Sequence, residues 1–226
     1  MIYDTTSVNG KYWACGDWCK LINDTFHEYV DCNMKLSDDK KAELGKLYEE
    51  CENEVDFANI WMDEHEIYNY MFMRGALNAG LIYIYSQFEK QIIELAKLVD
   101  SEYNPPRAGV ITDAYDFIKK KSELDFSSCY LSWKYIWDFQ QMRHACVHHD
   151  GITYEQRHID AIKRFGRSLK IIEHSDGGWE ICLTKKNLIE VSDKMRYFFG
   201  SLIAELEKCE NRKNNSVDKI EGDTKF

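Results

Sequence analysis

An arginine and three histidines lie close together in the chain, at Arg143, His144, His148 and His149. Histidine titrates near neutral pH, so it can accept or release a proton during a reaction. Arginine keeps its positive charge and can hold two oxygens of a phosphate at once. This combination indicates a site that binds a phosphate group and moves a proton.

A helix is expected to position these residues. An apolar pattern with Trp133, Ile136, Phe139 and Met142 precedes them at helical spacing, which is typical of a helix that arrives from a core. Gly151 follows them and is predicted to end that helix. Because the C-terminal end of a helix dipole favours protonated histidine, this end is a suitable place to hold an anion.

The same stretch permits two other interpretations. His144 and His148 are four residues apart and share one helix face, which is also the spacing of a metal-binding histidine pair. A zinc site would then recruit Cys146, His149 or Asp150. The stretch lacks the glutamate of a metalloprotease helix and a paired-cysteine knuckle, so we expect no metal. Alternatively, these are surface polar residues that merely end a helix.

The segment Arg143-His-Ala-Cys-Val-His148, with aromatic residues before it and Gly151 after it, resembles the motif of the HEPN domains. In that family an arginine, a polar residue, three further residues and a histidine close the third core helix. The context is also similar, because an earlier long helix carries a mid-helix glutamate, Glu89, and a shorter helix follows it. The resemblance covers roughly residues 67–167.

The resemblance implies an all-α protein, often a dimer, and in many members a ribonuclease that needs no metal. It implies that His148 is a general base or acid and that Arg143 clamps the phosphate. His144 occupies the polar position after the arginine, and His149 is the substitute if His148 is not the catalytic histidine. In the family a polar residue of the long helix often faces the motif, which makes Glu89 a further candidate.

RNA cleavage without metal needs a base for the 2′-hydroxyl, an acid for the leaving oxygen and positive charge beside the phosphate. One arginine and one histidine make a sparse site. Two motifs brought together across a two-fold axis would supply two of each, so we expect a homodimer with a composite site and no cofactor.

Charge is distributed unevenly along the chain. Residues 1–66 contain sixteen acidic and six basic residues, whereas residues 119–170 contain ten basic and six acidic ones. A helix predicted from Thr153 to Ser168 carries much of this basic charge. Its basic residues are Arg157, Lys163, Arg164 and Arg167. Because they follow the motif directly, we expect them to contact RNA phosphates.

Composition indicates the broad class. The 226 residues include only two prolines and are 44% hydrophobic and 14% aromatic, which favours an all-α fold with a substantial core. No apolar run approaches the length of a membrane span, and the start of the chain does not have the pattern of a signal peptide. Eight cysteines are scattered through apolar helical patterns, which is typical of reduced core residues. We therefore expect a cytoplasmic protein that does not bind membranes.

Three parts of the chain are predicted. Residues 1–66 would form an acidic N-terminal helical extension, and residues 67–209 a HEPN-like helical bundle with a small β-hairpin near its C-terminal end. Residues 210–226 are polar, have no apolar period and are predicted to be a disordered tail.

Individual elements follow from periodicity and turn residues. The extension is predicted to contain two helices, from Gly16 to Met34 and from a cap at Ser37 onward. The long helix is expected to run from Ile67 to Val99, with Gly75 and Gly80 permitting the close approach of another helix.

Towards the C-terminus, alternating residues on both sides of Asp176-Gly-Gly predict a β-hairpin. Thr184 or Lys185 then begins the last helix.

The resemblance to the HEPN domains implies an endoribonuclease that serves as a toxin or an anti-phage defence effector, with an antitoxin or another defence protein as a possible partner. One alternative is a HEPN-like module that has lost catalysis and serves in binding or dimerisation. Another is a metal-dependent helical hydrolase that uses the histidine cluster. RNA cleavage with and without a chelator would separate these three functions.

Overall fold

The structure is a computed structural model that describes residues 12–51, 55, 58–59, 73–122, 129–149, 151–165 and 169–222. Its described helices are α1 (Trp13–Glu49), α2 (Arg74–Val99), α3 (Val110–Ser122), α4 (Tyr130–His149), α5 (Gln156–Phe165) and α6 (Lys185–Gly222). The described strands are β1 (Ile152–Thr153), β2 (Lys170–Glu173) and β3 (Trp179–Cys182). The predicted all-α class with a small hairpin near the C-terminal end is therefore confirmed.

Local sequence explains where several helices begin and end. In α2, Leu81, Tyr85, Phe88 and Ile92 are all buried and recur every three or four residues. At the start of α6, Thr184 Oγ1 accepts a hydrogen bond from the Asn187 amide at 3.3 Å, and Asn187 Oδ1 accepts one from the Thr184 amide at 2.9 Å. This reciprocal pair caps the helix at the predicted position.

The described residues form two compact units. The first takes the described parts of Met1–Asn23, Ser86–Ile136 and Asp193–Phe226. Aromatic side chains fill its core, where the Tyr115 and Trp133 rings stack with centroids 3.9 Å apart. Phe88 meets Phe199 edge to face at 5.0 Å. Such pairs add stabilisation beyond their buried area.

The second unit takes the described parts of Asp24–Tyr85 and Trp137–Ser192. Here Gly80 of α2 lets Leu188 of α6 approach so closely that an added Cβ would lie 3.0 Å from its Cδ1 atom. The predicted role of Gly80 in close packing thus has a partner within the same chain. An added Cβ at Gly75 would have no neighbour within 4 Å among the described residues.

A three-stranded antiparallel sheet with the order β1-β3-β2 belongs to the second unit. The β2–β3 hairpin turns through Asp176 and Gly177, where the φ of Gly177 is 85°. The Asp176 carboxylate accepts a hydrogen bond from the Gly178 amide at 3.0 Å, which stabilises the turn. β1 pairs Ile152 with Glu180 and was not predicted, because two residues are too few to show an alternating pattern.

Several predicted boundaries differ from the structure. α1 is continuous, because Ser37 lies buried within it and no proline or glycine interrupts the chain there. α5 begins at Gln156 instead of Thr153, because Thr153 pairs in β1. α6 continues to Gly222, so the part of the predicted disordered tail that the structure describes is helical.

Other predictions remain open. The start of the long helix at Ile67 and the boundary between residues 66 and 67 lie outside the described residues. The division of the chain into an acidic extension and a HEPN-like domain stays a prediction. Among the described helices, none combines the length and apolar character needed to cross a membrane.

Candidate active site at the end of helix α4

Gly151 turns the chain away from α4. Its φ of 79° lies in the left-handed region, which glycine adopts without steric cost. Its amide donates to the Ala145 carbonyl at 3.1 Å, and its carbonyl accepts from the Ile181 amide of β3 at 2.9 Å. These bonds satisfy backbone groups that a helix end otherwise leaves unpaired, and they fix the last turn of α4 against the sheet.

Arg74 of α2 holds the same turn from the other side. A Cβ added at Gly151 would lie 3.3 Å from Arg74 Nη2, so the guanidinium packs tightly against this glycine. Arg74 Nη1 donates to Glu180 Oε1 at 3.0 Å, and His174 Nε2 lies 3.0 Å from Glu180 Oε2. The buried carboxylate of Glu180 therefore anchors Arg74 beside the histidine-bearing turn.

His144 and His148 form a pair along one face of α4. Their ring centroids are 4.3 Å apart, as expected for residues that are separated by one helical turn. His144 is half-buried and His148 is exposed. The His158 ring of α5 lies 5.5 Å from the His144 ring. The pair thus joins a partly shielded imidazole to one that solvent or a substrate can reach.

The surroundings of His144 favour its neutral form. Burial lowers the pKa of His144 below its ordinary value of 6.5. The charge of His148 lowers it further, as do those of Arg157 and Arg143, against an opposing effect from Glu155. A neutral imidazole can accept a proton, so His144 is suited to act as a base near neutral pH.

Arg143 lies on the face of an aromatic ring. Its guanidinium carbon is 5.2 Å from the centre of the Tyr85 ring, within the range of a cation–π contact. Its Nε atom is buried without a hydrogen-bond partner among the described residues, and none of their carboxylates pairs with its charge. Because arginine has five N–H donors, this guanidinium can bind an anionic ligand by donating hydrogen bonds to it.

His149 faces a different set of side chains. Its Nε2 atom lies 3.3 Å from Glu155 Oε1, and the other oxygen of Glu155 accepts a hydrogen bond from Arg157 Nε at 2.7 Å. His158 Nδ1 lies 2.9 Å from Thr153 Oγ1, which also accepts the Glu155 amide at 3.2 Å. The structure therefore brings His149 to Glu155 and His158, and His148 to His144, while the His158 ring adjoins both His144 and His149.

The pKa values in this second group follow from its contacts. Burial lowers the pKa of His158, against the opposing effect of the Glu155 charge. For Glu155, desolvation acts to raise the pKa. The hydrogen bond from Arg157 and the charge of His158 outweigh that effect, so the pKa of Glu155 lies below its ordinary value. A buried neutral imidazole thus faces an ionised carboxylate.

The residues predicted to bind RNA have different surroundings. Arg157 is exposed and pairs with Glu155, and Lys163 Nζ lies 4.3 Å from the centre of the Trp179 ring. Arg164 holds the buried carboxylate of Asp138 with three contacts of 2.7, 3.1 and 3.3 Å. Its charge is therefore engaged in a structural pair. Arg167 lies outside the described residues.

Three further residues are candidates from the sequence. Glu89 is a half-buried residue of α2 in the first unit, and its part in catalysis stays a prediction. Cys146 is buried in α4 and forms no disulfide. Asp150 lies outside the described residues.

Sequence reasoning missed Tyr85, Glu155, Thr153 and His158. Tyr85 belongs to the buried apolar pattern of α2, and nothing in the sequence relates it to Arg143. The other three had a weak signal, since a glutamate and a histidine spaced by three follow His149 within nine residues. That spacing became informative only once β1 and α5 were known to fold back on the end of α4.

Comparisons of the chain with protein-family models, curated proteins and solved structures found no match.

Proposed function

We propose that the chain is a HEPN-type endoribonuclease that cleaves RNA without a metal, by attack of the 2′-hydroxyl on the adjacent phosphorus. The observation that carries this proposal is the guanidinium of Arg143, which has no acceptor among the described residues and whose charge acts on His144, the next residue of α4. A cation that is fixed on the Tyr85 ring and adjoins a pair of histidines in sequence suits a phosphodiester in charge and in proton chemistry.

The reaction assigns one role to each side chain. A histidine takes the proton of the 2′-hydroxyl as its oxygen attacks phosphorus, and a second histidine gives a proton to the departing 5′-oxygen. The products are a 2′,3′-cyclic phosphate and a 5′-hydroxyl end. Arg143 stays charged and stabilises the negative charge that grows on the phosphorane oxygens. The exposed His148 is the preferred base or acid, and His144 supports it as a neutral imidazole.

We further propose that two copies of the chain share one composite site. His144 and His148 follow Trp137 by seven and eleven residues. The three side chains therefore lie within about 40° of one another on an ideal helix with about 100° per residue. Trp137 is 40% exposed, and Val147 nearby is 38% exposed. Exposed apolar side chains beside a catalytic face suit a contact with a second copy, which would then supply the second arginine and histidine.

A cytoplasmic setting belongs to the same proposal. All eight cysteines lie within the described residues and none of them forms a disulfide, which suits a reducing compartment. Release of such an activity would damage the RNA of the cell that makes it. A toxin or an anti-phage effector, held in check by an antitoxin or another defence protein, fits this chemistry best.

The test is cleavage of a labelled RNA by the purified chain with and without a chelator. We expect cleavage in both conditions, with cyclic phosphate ends, and a loss of at least a hundredfold for Arg143→Ala and His148→Ala. Lys134→Ala removes an exposed cation from the same helix and serves as the matched control with full activity. Cleavage by the chain that disappears with chelator would indicate the metal-dependent hydrolase instead.

Mixing the two inactive variants tests the composite site. Heterodimers of Arg143→Ala and His148→Ala chains retain one arginine and one histidine from opposite copies. If that crossed pair suffices, activity returns in up to about half of the dimers when the chains exchange statistically. If mixing restores nothing, or if sedimentation detects only monomers, the shared site is refuted.

A second candidate is a HEPN-like module that binds without cleaving. It is favoured by the pairing of Arg157 and Arg164 with carboxylates, because these two cations then have less charge to offer RNA. A dimer that forms normally, with no RNA cleavage in any buffer, would establish this candidate in place of the enzyme.

A further inference from the structure

Three side chains converge where α4, β1 and α5 meet. His149, Glu155 and His158 each point one ligand atom into the same small volume, and these atoms all lie within 4.8 Å of one another. His149 Nε2 is 3.3 Å from Glu155 Oε1, and His158 Nε2 is 3.8 Å from Glu155 Oε2. Ligand atoms about 2.0–2.2 Å from one tetrahedral zinc ion lie roughly 3.3–3.5 Å apart, so separations of up to 4.8 Å must close by up to about 1.3–1.5 Å when the ion binds.

The buried imidazole of His158 gives an independent indication of a ligand. Its side chain is fully buried, and its Nε2 atom has no hydrogen-bond partner among the described residues. Its Nδ1 atom lies 2.9 Å from Thr153 Oγ1. If Nδ1 carries the proton and donates it to Thr153, Nε2 presents a lone pair towards Glu155. The other tautomer would bury an N–H group without an acceptor, which is costly.

This arrangement matches how proteins prepare a histidine for a metal. A metal-binding imidazole usually donates its second N–H to an oxygen, which fixes the tautomer and the orientation of the ring. Thr153 supplies that oxygen and also accepts the Glu155 amide, so one residue orients two of the three ligands. The His149 and Glu155 side chains are 37% and 40% exposed, which leaves access for the ion and a position for water.

We propose that His149, Glu155 and His158 bind a divalent transition metal of the zinc type, with water completing the coordination. Two imidazoles and one carboxylate form a ligand set that zinc favours over magnesium or calcium. Arg157 Nε donates to Glu155 Oε2 at 2.7 Å and would have to share or release that oxygen. The Arg157 side chain is 57% exposed, so it can move without loss of core packing.

The proposed ion has a consequence for the neighbouring histidines. It would engage His149 and leave His148, one residue earlier, for the phosphate chemistry proposed above. It would also join the end of α4 to α5 through the ligands at both ends of the segment. The ion takes no part in RNA cleavage, so this inference goes beyond the proposed function and either can fail without the other.

The full chain is first treated with a chelator, which is then removed. The experiment is to titrate this metal-free chain with Zn²⁺ in a calorimeter and with Co²⁺ in a spectrophotometer. We expect one ion per chain and visible Co²⁺ absorption of a four- or five-coordinate site. His149→Ala and Glu155→Gln, both at exposed positions, should weaken binding at least tenfold, as should the orienting variant Thr153→Val.

His148→Ala is the matched control, because it removes an exposed histidine next to His149 that is not a proposed ligand. It should leave affinity and spectrum unchanged. Absence of binding, or an affinity of His149→Ala and Glu155→Gln equal to that of the unaltered chain, would overturn the proposal. Loss of binding in His148→Ala alone would also overturn it and assign the ion to the His144–His148 pair.

Discussion

Substitution of Gly151 by alanine tests how the end of α4 is held. The left-handed conformation at φ 79° costs an L-residue about 1–2 kcal/mol. The new methyl group would also lie 3.3 Å from Arg74 Nη2, so the guanidinium must shift. A shift strains its 3.0 Å hydrogen bond to Glu180, whose weakening costs about 1–2 kcal/mol more. We expect Gly151→Ala to lower the free energy of unfolding by about 2–4 kcal/mol.

Gly177→Ala is the matched control for this prediction. Gly177 has a similar φ of 85°, but an added Cβ would meet nothing within 4 Å among the described residues. It should therefore cost only the backbone contribution, about 1–2 kcal/mol. Urea unfolding followed by circular dichroism measures both variants on one scale. Equal costs for the two substitutions would refute the tight contact between Arg74 and Gly151.

Three other predictions concern stability. Arg164→Ala should lower the free energy of unfolding, measured with urea, by about 1–2 kcal/mol. This is less than for a fully buried ion pair, because the Arg164 side chain is 39% exposed. The double variant with Asp138→Asn should recover part of the loss. If the double variant recovers nothing, the loss does not come from an Asp138 carboxylate left buried without its partner. Gly80→Ala should lower the free energy of unfolding by about 1–3 kcal/mol, because the new methyl group overpacks against Leu188. Gly45→Ala should raise it by about 0.5–1 kcal/mol, because this helix position has open space around it. Thermal melts that rank the two variants in the opposite order would exclude this packing. The pKa of His144 is lower in the folded chain than in the unfolded chain, so the unfolded chain binds a proton at His144 first as the pH falls below 6.5. The free energy of unfolding should therefore decrease towards acid pH, by up to about 1.4 kcal/mol per pH unit from this histidine. An equally steep drop in His144→Asn would exclude His144 as its source.

Much of the fold could be predicted because its signals are local. The buried positions of α2 repeat every three or four residues, and Asp176-Gly-Gly is the type of turn that joins two strands. Ser37 shows the limit of such signals. A serine followed by acidic residues is a good helix start, but a serine is also tolerated inside a helix, as in α1, where Ser37 is buried.

The candidate site could be predicted only as far as its own helix extends. The order of Arg143, His144 and His148 along α4, and the glycine that ends it, follow from the sequence. The contact of Arg143 with Tyr85 joins residues that are far apart in the chain. The spacing of apolar residues along one helix does not predict which residue of another helix it will contact. The contacts of His149 and His158 also depended on tertiary structure, because Thr153 lies in β1 beside His158 and Glu155 follows it to meet His149.

The hydrogen bond from the Ile181 amide to the Gly151 carbonyl makes one proton of the backbone a reporter on the candidate site. That proton can exchange with deuterium only when β3 separates from the turn after α4, so its exchange rate measures how often the turn opens. An anion on Arg143 or an ion on His149 would hold the turn closed and slow the exchange. Isotope exchange at this single amide can therefore detect ligands of unknown identity, before any reaction has been found.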